Sequence, residues 1–161
     1  PEGSRVQPAW LEGFLRQPRT IRPWLAVRMP TFAWSDDEID TLGTYLRAIA
    51  PENPKPTPAS ADITPRVGQE LFTLLKCQQC HVLGSIPADQ PTANLAPDLR
   101  LAHERLQPEW ILAWLRDPSA ILPGTRMPSF WPDYPKSFYP PLDRDGAGQV
   151  RAIRDHLLRL R

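Results

Sequence analysis

The residues of this chain with the clearest potential for chemistry are five consecutive ones, Cys77, Gln78, Gln79, Cys80 and His81, which spell C-Q-Q-C-H. On a helical path, two thiols three positions apart lie about one turn apart and point the same way. This spacing suits two thioether bonds to the vinyl groups of one haem, and the next histidine can then ligate the iron. The motif therefore predicts a covalently attached haem c, held by Cys77 and Cys80 and ligated by His81.

Three other interpretations of the cysteine pair compete with haem attachment. A thioredoxin-like thiol pair lies near a βαβ pattern, and the sequence shows none. A structural zinc site needs four ligands, and only His103 and His156 are available to join the motif, neither at finger-like spacing. A disulfide across two intervening residues would be strained and would leave His81 without a role. We favour haem attachment because it uses both cysteines of the chain and the histidine.

Length, composition and charge limit the class of protein. A chain of 161 residues allows one ordinary domain or two small ones, and its hydrophobic fraction of 41% suffices for a modest core that a haem would enlarge. The net charge of +1 does not favour nucleic acid or a charged membrane surface as a partner. The sequence holds no run of 18 apolar residues, so we expect no transmembrane helix, and membrane association only through other sequence or partners.

Proline residues divide the chain into short helical segments. There are 21 of them, and they predict short helices separated by rigid loops, with no period-2 strand pattern between them. Ser35 and Glu38 have the spacing of a capping box at the start of the second helix. The fold class that we predict is all-α. The predicted helices cover residues 8–16, 36–50, 65–77, 108–116 and about 147–160. Their predicted apolar faces include Ile49 in the second helix, Leu74 in the third and Leu160 in the last.

An internal repeat indicates how the chain is organised. Residues 8–46 align with residues 108–157, so that Arg28-Met29-Pro30 matches Arg126-Met127-Pro128. Only the second copy follows a C-x-x-C-H motif. We therefore expect the chain to begin within a domain and to be processed or excised from something longer, since it starts at Pro1 and carries no signal peptide. The predicted domains are the C-terminal half of a domain at 1–50, a Pro-rich linker at 51–64 and a complete domain at 65–161.

The chain resembles class I c-type cytochromes, and the resemblance extends over nearly all of it, with the family pattern in order within residues 65–161. The resemblance implies an all-α class I cytochrome c fold around a covalently attached haem, preceded by a half cytochrome c-like helical segment. It also implies that Gly68 is where the C-terminal helix crosses closely. The segments that carry the resemblance are Gly68-x-x-Leu71-Phe72, Cys77-x-x-Cys80-His81, Ala96-Pro97-Asp98-Leu99, Trp110 to Pro118, and Gly124-Thr125-Arg126-Met127-Pro128.

The resemblance implies further residues of the haem site. Met127 would ligate the iron from the face opposite His81, and the Pro97 carbonyl would accept the Nδ1 proton of His81. Trp110, with Trp114, would form walls of the haem pocket, and Arg126 would pair with a haem propionate or lie on the surface.

Two alternatives for the sixth ligand stay open. If Met127 only fills the core, His103 or His156 would be available to replace it. His156 stands where the family often has an aromatic residue, a type that Tyr45 retains in the first copy. The insert at 131–145 is also long for the family, so it would cover the haem edge, dock a partner or pack on itself.

Met29 occupies the axial-methionine position of the first copy. The hypothesis is that it ligates a second haem, which would be held by sequence upstream of Pro1 or by another chain. The alternative is that Met29 only packs in the core.

The resulting functional prediction is one-electron transfer by a His/Met-ligated haem c in an extracytoplasmic compartment, either the periplasm or the outer face of the cytoplasmic membrane. The protein would be an electron carrier rather than an enzyme. Its partners would be redox proteins or other subunits of a multihaem respiratory or photosynthetic assembly, or of a dehydrogenase. The alternatives are a haem enzyme of the dihaem-peroxidase type, which needs an open iron position, and a structural subunit whose haem only holds the fold.

Overall fold

The computed structural model describes residues 1–52, 65–86, 88, 91–137, 139–140, 142 and 145–161. Helices dominate these residues, and the pairing of extended segments among them is limited to isolated bridges. This confirms the predicted all-α class. The α-helices of the described residues are α1 (Glu2–Arg5), α2 (Pro8–Arg16), α3 (Asp36–Ala48), α4 (Pro65–Leu74), α5 (Ala102–Arg105), α6 (Pro108–Arg116), α7 (Pro118–Ile121) and α8 (Gly146–Leu157).

Helix α3 begins at the predicted capping box. The Ser35 hydroxyl accepts from the Glu38 backbone N–H at 3.3 Å, and the Glu38 carboxylate accepts from the Ser35 backbone N–H at 2.8 Å. Because α3 ends at Ala48, Ile49 falls outside it, and this residue is 52% exposed instead of lying on the predicted apolar face. Helix α7 is an addition to the predicted loop, and Asp117 caps it by accepting from the Ala120 N–H at 3.2 Å.

The described residues form two compact units. The first consists of the described residues within 1–53 and 80–107, with Arg161, and the second of those within 54–79 and 108–160. These units follow spatial contacts rather than chain order, so the predicted domain boundaries stay a prediction. The predicted linker at 51–64 lies outside the described residues except for its first two.

The core of the first unit lies where α3 packs against α1 and α2. Four buried side chains form its centre, and Met29 packs against them together with other half-buried apolar residues. The central residues are Val6, Leu11, Leu15 and Ile39.

Two glutamines link the segments that directly precede the two copies of the repeat, and both segments lie in the first unit. The backbone N–H of Gln7 donates to the carbonyl of Arg105 and that of Gln107 donates to the carbonyl of Arg5, each at 2.9 Å. Each bond therefore has a counterpart with all residue numbers shifted by 100. The repeat thus extends further towards the N-terminus than the sequence alignment indicated.

The side chains of the two glutamines repeat this exchange. The Gln7 amide donates to the carbonyls of His103 at 2.8 Å and Leu106 at 3.0 Å. The Gln107 amide donates to the carbonyls of Gly3 at 3.0 Å and Val6 at 2.8 Å. The segments 1–7 and 101–107 are therefore paired about a local pseudo-twofold axis.

The second unit is organised by the crossing of α4 and α8. A Cβ atom added at Gly68 would overlap the carbonyl oxygen of Ala152 and lie 2.8 Å from the Cβ of His156. The ring of His156 packs on Phe72 with centroids 5.1 Å apart. His156 therefore occupies a helix-packing position, and the close crossing at Gly68 is present as the resemblance implies.

The packed face of α4 differs in part from the predicted one. Leu71, Phe72 and Leu75 are buried, whereas Leu74, which was predicted on this face, is 48% exposed. Gly68, Leu71, Phe72 and Leu75 have the i, i+3, i+4, i+7 spacing of one helix stripe, and Leu74 lies off it. Similarly, Leu160 was predicted inside the last helix but lies beyond the end of α8.

The insert at 131–145 is anchored to α8 through Gln149, which is fully buried. The side-chain oxygen of Gln149 accepts from the Trp131 indole N–H at 2.9 Å and the Ser137 hydroxyl at 2.6 Å. Its amide group donates to the carbonyl of Tyr139 at 3.0 Å. Since both donors to Gln149 belong to buried residues, this network fixes the described part of the insert on the helix.

Changing Gln149 to leucine is expected to lower the free energy of unfolding by about 3 kcal/mol, because each buried donor left unpaired costs about 1–3 kcal/mol. Urea unfolding followed by far-UV circular dichroism would measure the change. As a matched control, Gln69→Leu on the exposed face of α4 is expected to stay within about 0.5 kcal/mol of wild type. Equal stabilities of the two variants would contradict an anchoring role for Gln149.

Candidate haem-binding site

The C-x-x-C-H motif is separated from the end of α4 by two residues, Leu75 and Lys76. Lys76 adopts a positive φ of 55°, and residues Cys77–Gln79 then form a 3-10 turn that closes with a 2.9 Å bond from the Gln79 N–H to the Lys76 carbonyl. The helix predicted to run into Cys77 therefore ends at Leu74. Cys77 is half-buried, Cys80 is exposed, and neither is in a disulfide.

His81 is held in the first unit by the segment around Pro97. Its Nδ1 lies 2.9 Å from the Pro97 carbonyl oxygen, and the neighbouring Ala96 N–H donates to the Cys80 carbonyl at 2.7 Å. Asp98 fixes this segment in turn, because its carboxylate accepts from the backbone N–H groups of Gly84 at 3.1 Å and Arg100 at 2.9 Å.

The environment of His81 selects one form of its imidazole. Burial lowers the pKa of His81, and the Pro97 carbonyl opposes this effect more weakly, so the ring is neutral at pH 7. A carbonyl oxygen only accepts, so the proton must be on Nδ1 and the lone pair on Nε2. A neutral imidazole held through Nδ1 is the form that metals bind. The residues present therefore fit a haem ligand at this position.

Met127 is positioned within the second unit by Trp114. The Trp114 indole N–H donates to the Met127 Sδ at 2.9 Å, and the Met127 backbone N–H donates to the Thr125 hydroxyl at 3.3 Å. Trp114 is itself stacked on the buried Trp110, with ring centroids 5.1 Å apart and an angle of 15° between the planes. The sulfur of a half-buried methionine is therefore held by a defined hydrogen bond.

Trp114 was interpreted from the sequence only as a pocket wall, and its bond to sulfur is an additional contact. The signal for it is that the indole N–H of a largely buried tryptophan usually finds a partner. The loop beyond Met127 is held as well, since Asp117 accepts from the Ser129 hydroxyl at 3.4 Å. Arg126, the expected partner of a propionate, lies exposed on this loop.

The alternative histidines have other contacts. His103 Nδ1 lies 2.7 Å from the Arg100 carbonyl in the first unit. His156 is packed on Phe72 in the second unit, where burial and, to a lesser degree, Arg159 lower its pKa. Both side chains thus have packing or hydrogen-bonding roles within their own units.

Met29 has surroundings that resemble those of Met127 in part. In the first unit Trp10 stacks on Phe14 with centroids 4.8 Å apart and an angle of 14°, which repeats the stack of Trp110 on Trp114. Phe14 has no N–H group, so the donor that holds the Met127 sulfur is missing from the equivalent position. Met29 is half-buried against the core of the first unit.

Within the described part of the chain, no helix is long and apolar enough to cross a membrane. The same residues contain no group of three or more histidine, cysteine, aspartate or glutamate side chains arranged to hold a metal ion.

The chain is similar to a cytochrome c oxidase subunit 2 of Bacillus subtilis (strain 168), with 33% identity over 82 residues. This similarity covers 46% of the chain and 23% of the oxidase subunit, so the chain spans about a quarter of the length of that relative. No protein-family model and no solved structure matches the chain. The similarity is therefore to part of a protein that is named as a cytochrome c oxidase subunit.

Proposed function

We propose that this chain transfers single electrons through a haem c attached to Cys77 and Cys80 and ligated by His81 and Met127. The observation that carries the proposal is the state of His81 directly after the cysteine pair. Its Nδ1 proton is engaged by the Pro97 carbonyl at 2.9 Å, which leaves the Nε2 lone pair for iron. The similarity to an oxidase subunit supports a role in electron transfer.

The residues of the site suit an electron carrier. Haem, when bound, cycles between ferric and ferrous iron and so stores one electron. A thioether ligand favours the ferrous state, so Met127 would raise the reduction potential relative to a second histidine. The Trp114 N–H withdraws electron density from the same sulfur and would raise the potential further. Two protein ligands would also keep oxygen and peroxide away from the iron.

The same proposal includes the wider setting of the protein. Residues 65–161 would form a class I cytochrome c domain, preceded by half of a similar domain at 1–50, with Met29 as ligand of a second haem. The protein would act in an extracytoplasmic compartment, with redox proteins or other subunits of a respiratory assembly as partners. The similarity to cytochrome c oxidase subunit 2 favours the respiratory setting over a photosynthetic one.

The absorption spectrum of the oxidised protein tests this proposal. We expect the weak band of a methionine–ferric bond at the red edge of the visible spectrum, and its loss in Met127→Ala. Met29→Leu is the matched control and is expected to leave the band of this 161-residue chain unchanged. A wild-type spectrum without the band, together with rapid carbon monoxide binding to the reduced protein, would favour a haem enzyme with an open iron position.

Changing Trp114 to phenylalanine is expected to lower the reduction potential, because the sulfur regains the electron density that the N–H withdraws. If the bond favours the ferrous state by about 1 kcal/mol, the shift is about 40 mV for a one-electron couple. A spectroscopic redox titration would measure it. Trp110→Phe truncates the stacked partner without touching the sulfur and is expected to shift the potential less. Equal potentials in Trp114→Phe and wild type would contradict the role of this bond.

A further inference from the structure

One face of α3 is exposed although its counterpart on α8 is covered. In the register of the repeat, Thr41 and Tyr45 correspond to Ala152 and His156. Ala152 and His156 are the residues of α8 against which α4 crosses. Thr41 is exposed, and Tyr45 is 58% exposed.

The packing partners of the two helices show the same difference. The contact of α2 with α3 in the first unit repeats the contact of α6 with α8 in the second. The contact of α4 with α8 is the most extensive between elements of the second unit. On α3, the described residues provide a crossing by α1, which lies near Leu46 and leaves Thr41 exposed. The unpartnered face of α3 is therefore the one that α4 covers on α8.

This face forms an open groove with apolar walls and an acidic rim. Trp34 and Tyr45 provide aromatic surface, and Leu42 provides aliphatic surface. Asp37 and Glu38 provide the rim, where the equivalent residues of α8 are the neutral Gly148 and Gln149. The residues that line the groove are Trp34, Asp37, Glu38, Thr41, Leu42 and Tyr45.

We propose that this α3 groove binds an amphipathic helix of the α4 type, the helix that leads into a second C-x-x-C-H motif. Such a helix would place a glycine or another small residue against Thr41 and an apolar or aromatic side chain against Tyr45. The acidic rim would also favour a basic side chain directed at Asp37, whereas the equivalent residues of α8 are neutral and give α4 no such preference. The second motif rests on the proposed function, because it would bring the haem for Met29.

Extending the chain supplies a helix of this type in the position that the repeat requires. A copy of residues 65–100 placed directly before Pro1 restores the order in which α4, the motif and the segment 101–107 follow one another. The glutamine pairing supports this junction, since it makes residues 1–7 the equivalents of 101–107. We expect the backbone amides of α3 to exchange hydrogen at least about tenfold more slowly in the extended chain than in the original one.

Two variants of α3 determine whether the added helix lies in the groove. Thr41→Trp fills the crossing point and is expected to restore the exchange rate of the original chain. Asp40→Trp places the same side chain on an exposed position outside the groove and is expected to leave the protection intact. Unchanged exchange in the extended chain, or protection that survives Thr41→Trp, would overturn the proposal.

The spectrum separates this inference from the proposed function. In the extended chain a second methionine–ferric band that disappears in Met29→Leu is expected beside the band of Met127. Protection of α3 without that second band would retain the helix site and refute the haem ligand. Absence of the Met127 band from the original chain would refute the proposed function, while the exchange rates of α3 still decide the groove.

Discussion

Replacing both Cys77 and Cys80 by alanine is expected to leave the chain with no haem that survives denaturation. These are the only two cysteines of the chain, so no other thiol is present to form a thioether bond. The mass of the denatured protein, measured after production in cells that attach haem c, would show wild type heavier by one haem and the double variant at the mass of the polypeptide. The full loss of a covalent group makes this the largest effect that we predict.

Two further variants serve as controls in the same mass measurement. Gln78→Ala with Gln79→Ala changes the two residues between the cysteines and is expected to retain the full haem mass. Met127→Ala is expected to retain it as well, because attachment does not need the sixth ligand. If the wild-type chain carried zinc or a Cys77–Cys80 disulfide in place of haem, the prediction of haem attachment would be refuted. One of the other interpretations of the cysteine pair would then hold.

Replacing Gly68 by leucine is expected to destabilise the second unit by at least about 3 kcal/mol, at the upper end of typical overpacking effects. The Cβ atom alone would overlap the backbone carbonyl of Ala152. This carbonyl is part of α8, so it cannot move aside as a flexible side chain could. The remaining leucine atoms would force α4 and α8 apart and open the packing of Phe72 on His156. Thermal unfolding followed by circular dichroism would measure the loss.

A second glycine provides the control with the opposite sign. Gly13 lies within α2, and a Cβ atom there would meet no other atom within 4 Å. Gly13→Ala is therefore expected to stabilise the chain by about 0.5–1 kcal/mol through helix propensity alone. If Gly68→Leu and Gly13→Ala shifted stability in the same direction, the close crossing of α4 and α8 would not be what Gly68 provides.

The parts of the fold that local signals determine could be predicted from the sequence. Pro8 and Pro108 begin α2 and α6, and the pair Ser35 and Glu38 begins α3, because proline geometry and capping act within a few residues. The position of Leu74 was predicted wrongly, since the packed face of α4 depends on where α8 lies. The pairing of Gln7 with Gln107 could not be predicted, because its acceptors are backbone carbonyls that leave no pattern in the sequence.

The candidate site likewise has a part that could be predicted from the sequence and a part that could not. Cys77, Cys80 and His81 were identified by spacing, which is a property of the sequence alone. Trp114 as the donor to the Met127 sulfur required the positions of two side chains 13 residues apart in the chain, on a helix and on a loop. Whether Met29 ligates a second haem stays a proposal, since the same methionine also packs against the core of the first unit.

The glutamine exchange between segments 1–7 and 101–107 has the form of an isologous interface, in which every contact occurs twice, as in a symmetric homodimer. Here a single polypeptide provides both sides, as expected if two identical ancestral subunits were joined by gene duplication and fusion. Such a fused pair does not separate on dilution, because the two sides are tethered at high effective concentration. It is also free to diverge, since a substitution alters one side of the interface and leaves the other intact. Phe14 at the position equivalent to Trp114 is a difference of this kind between the copies, because only the second copy has the indole N–H donor.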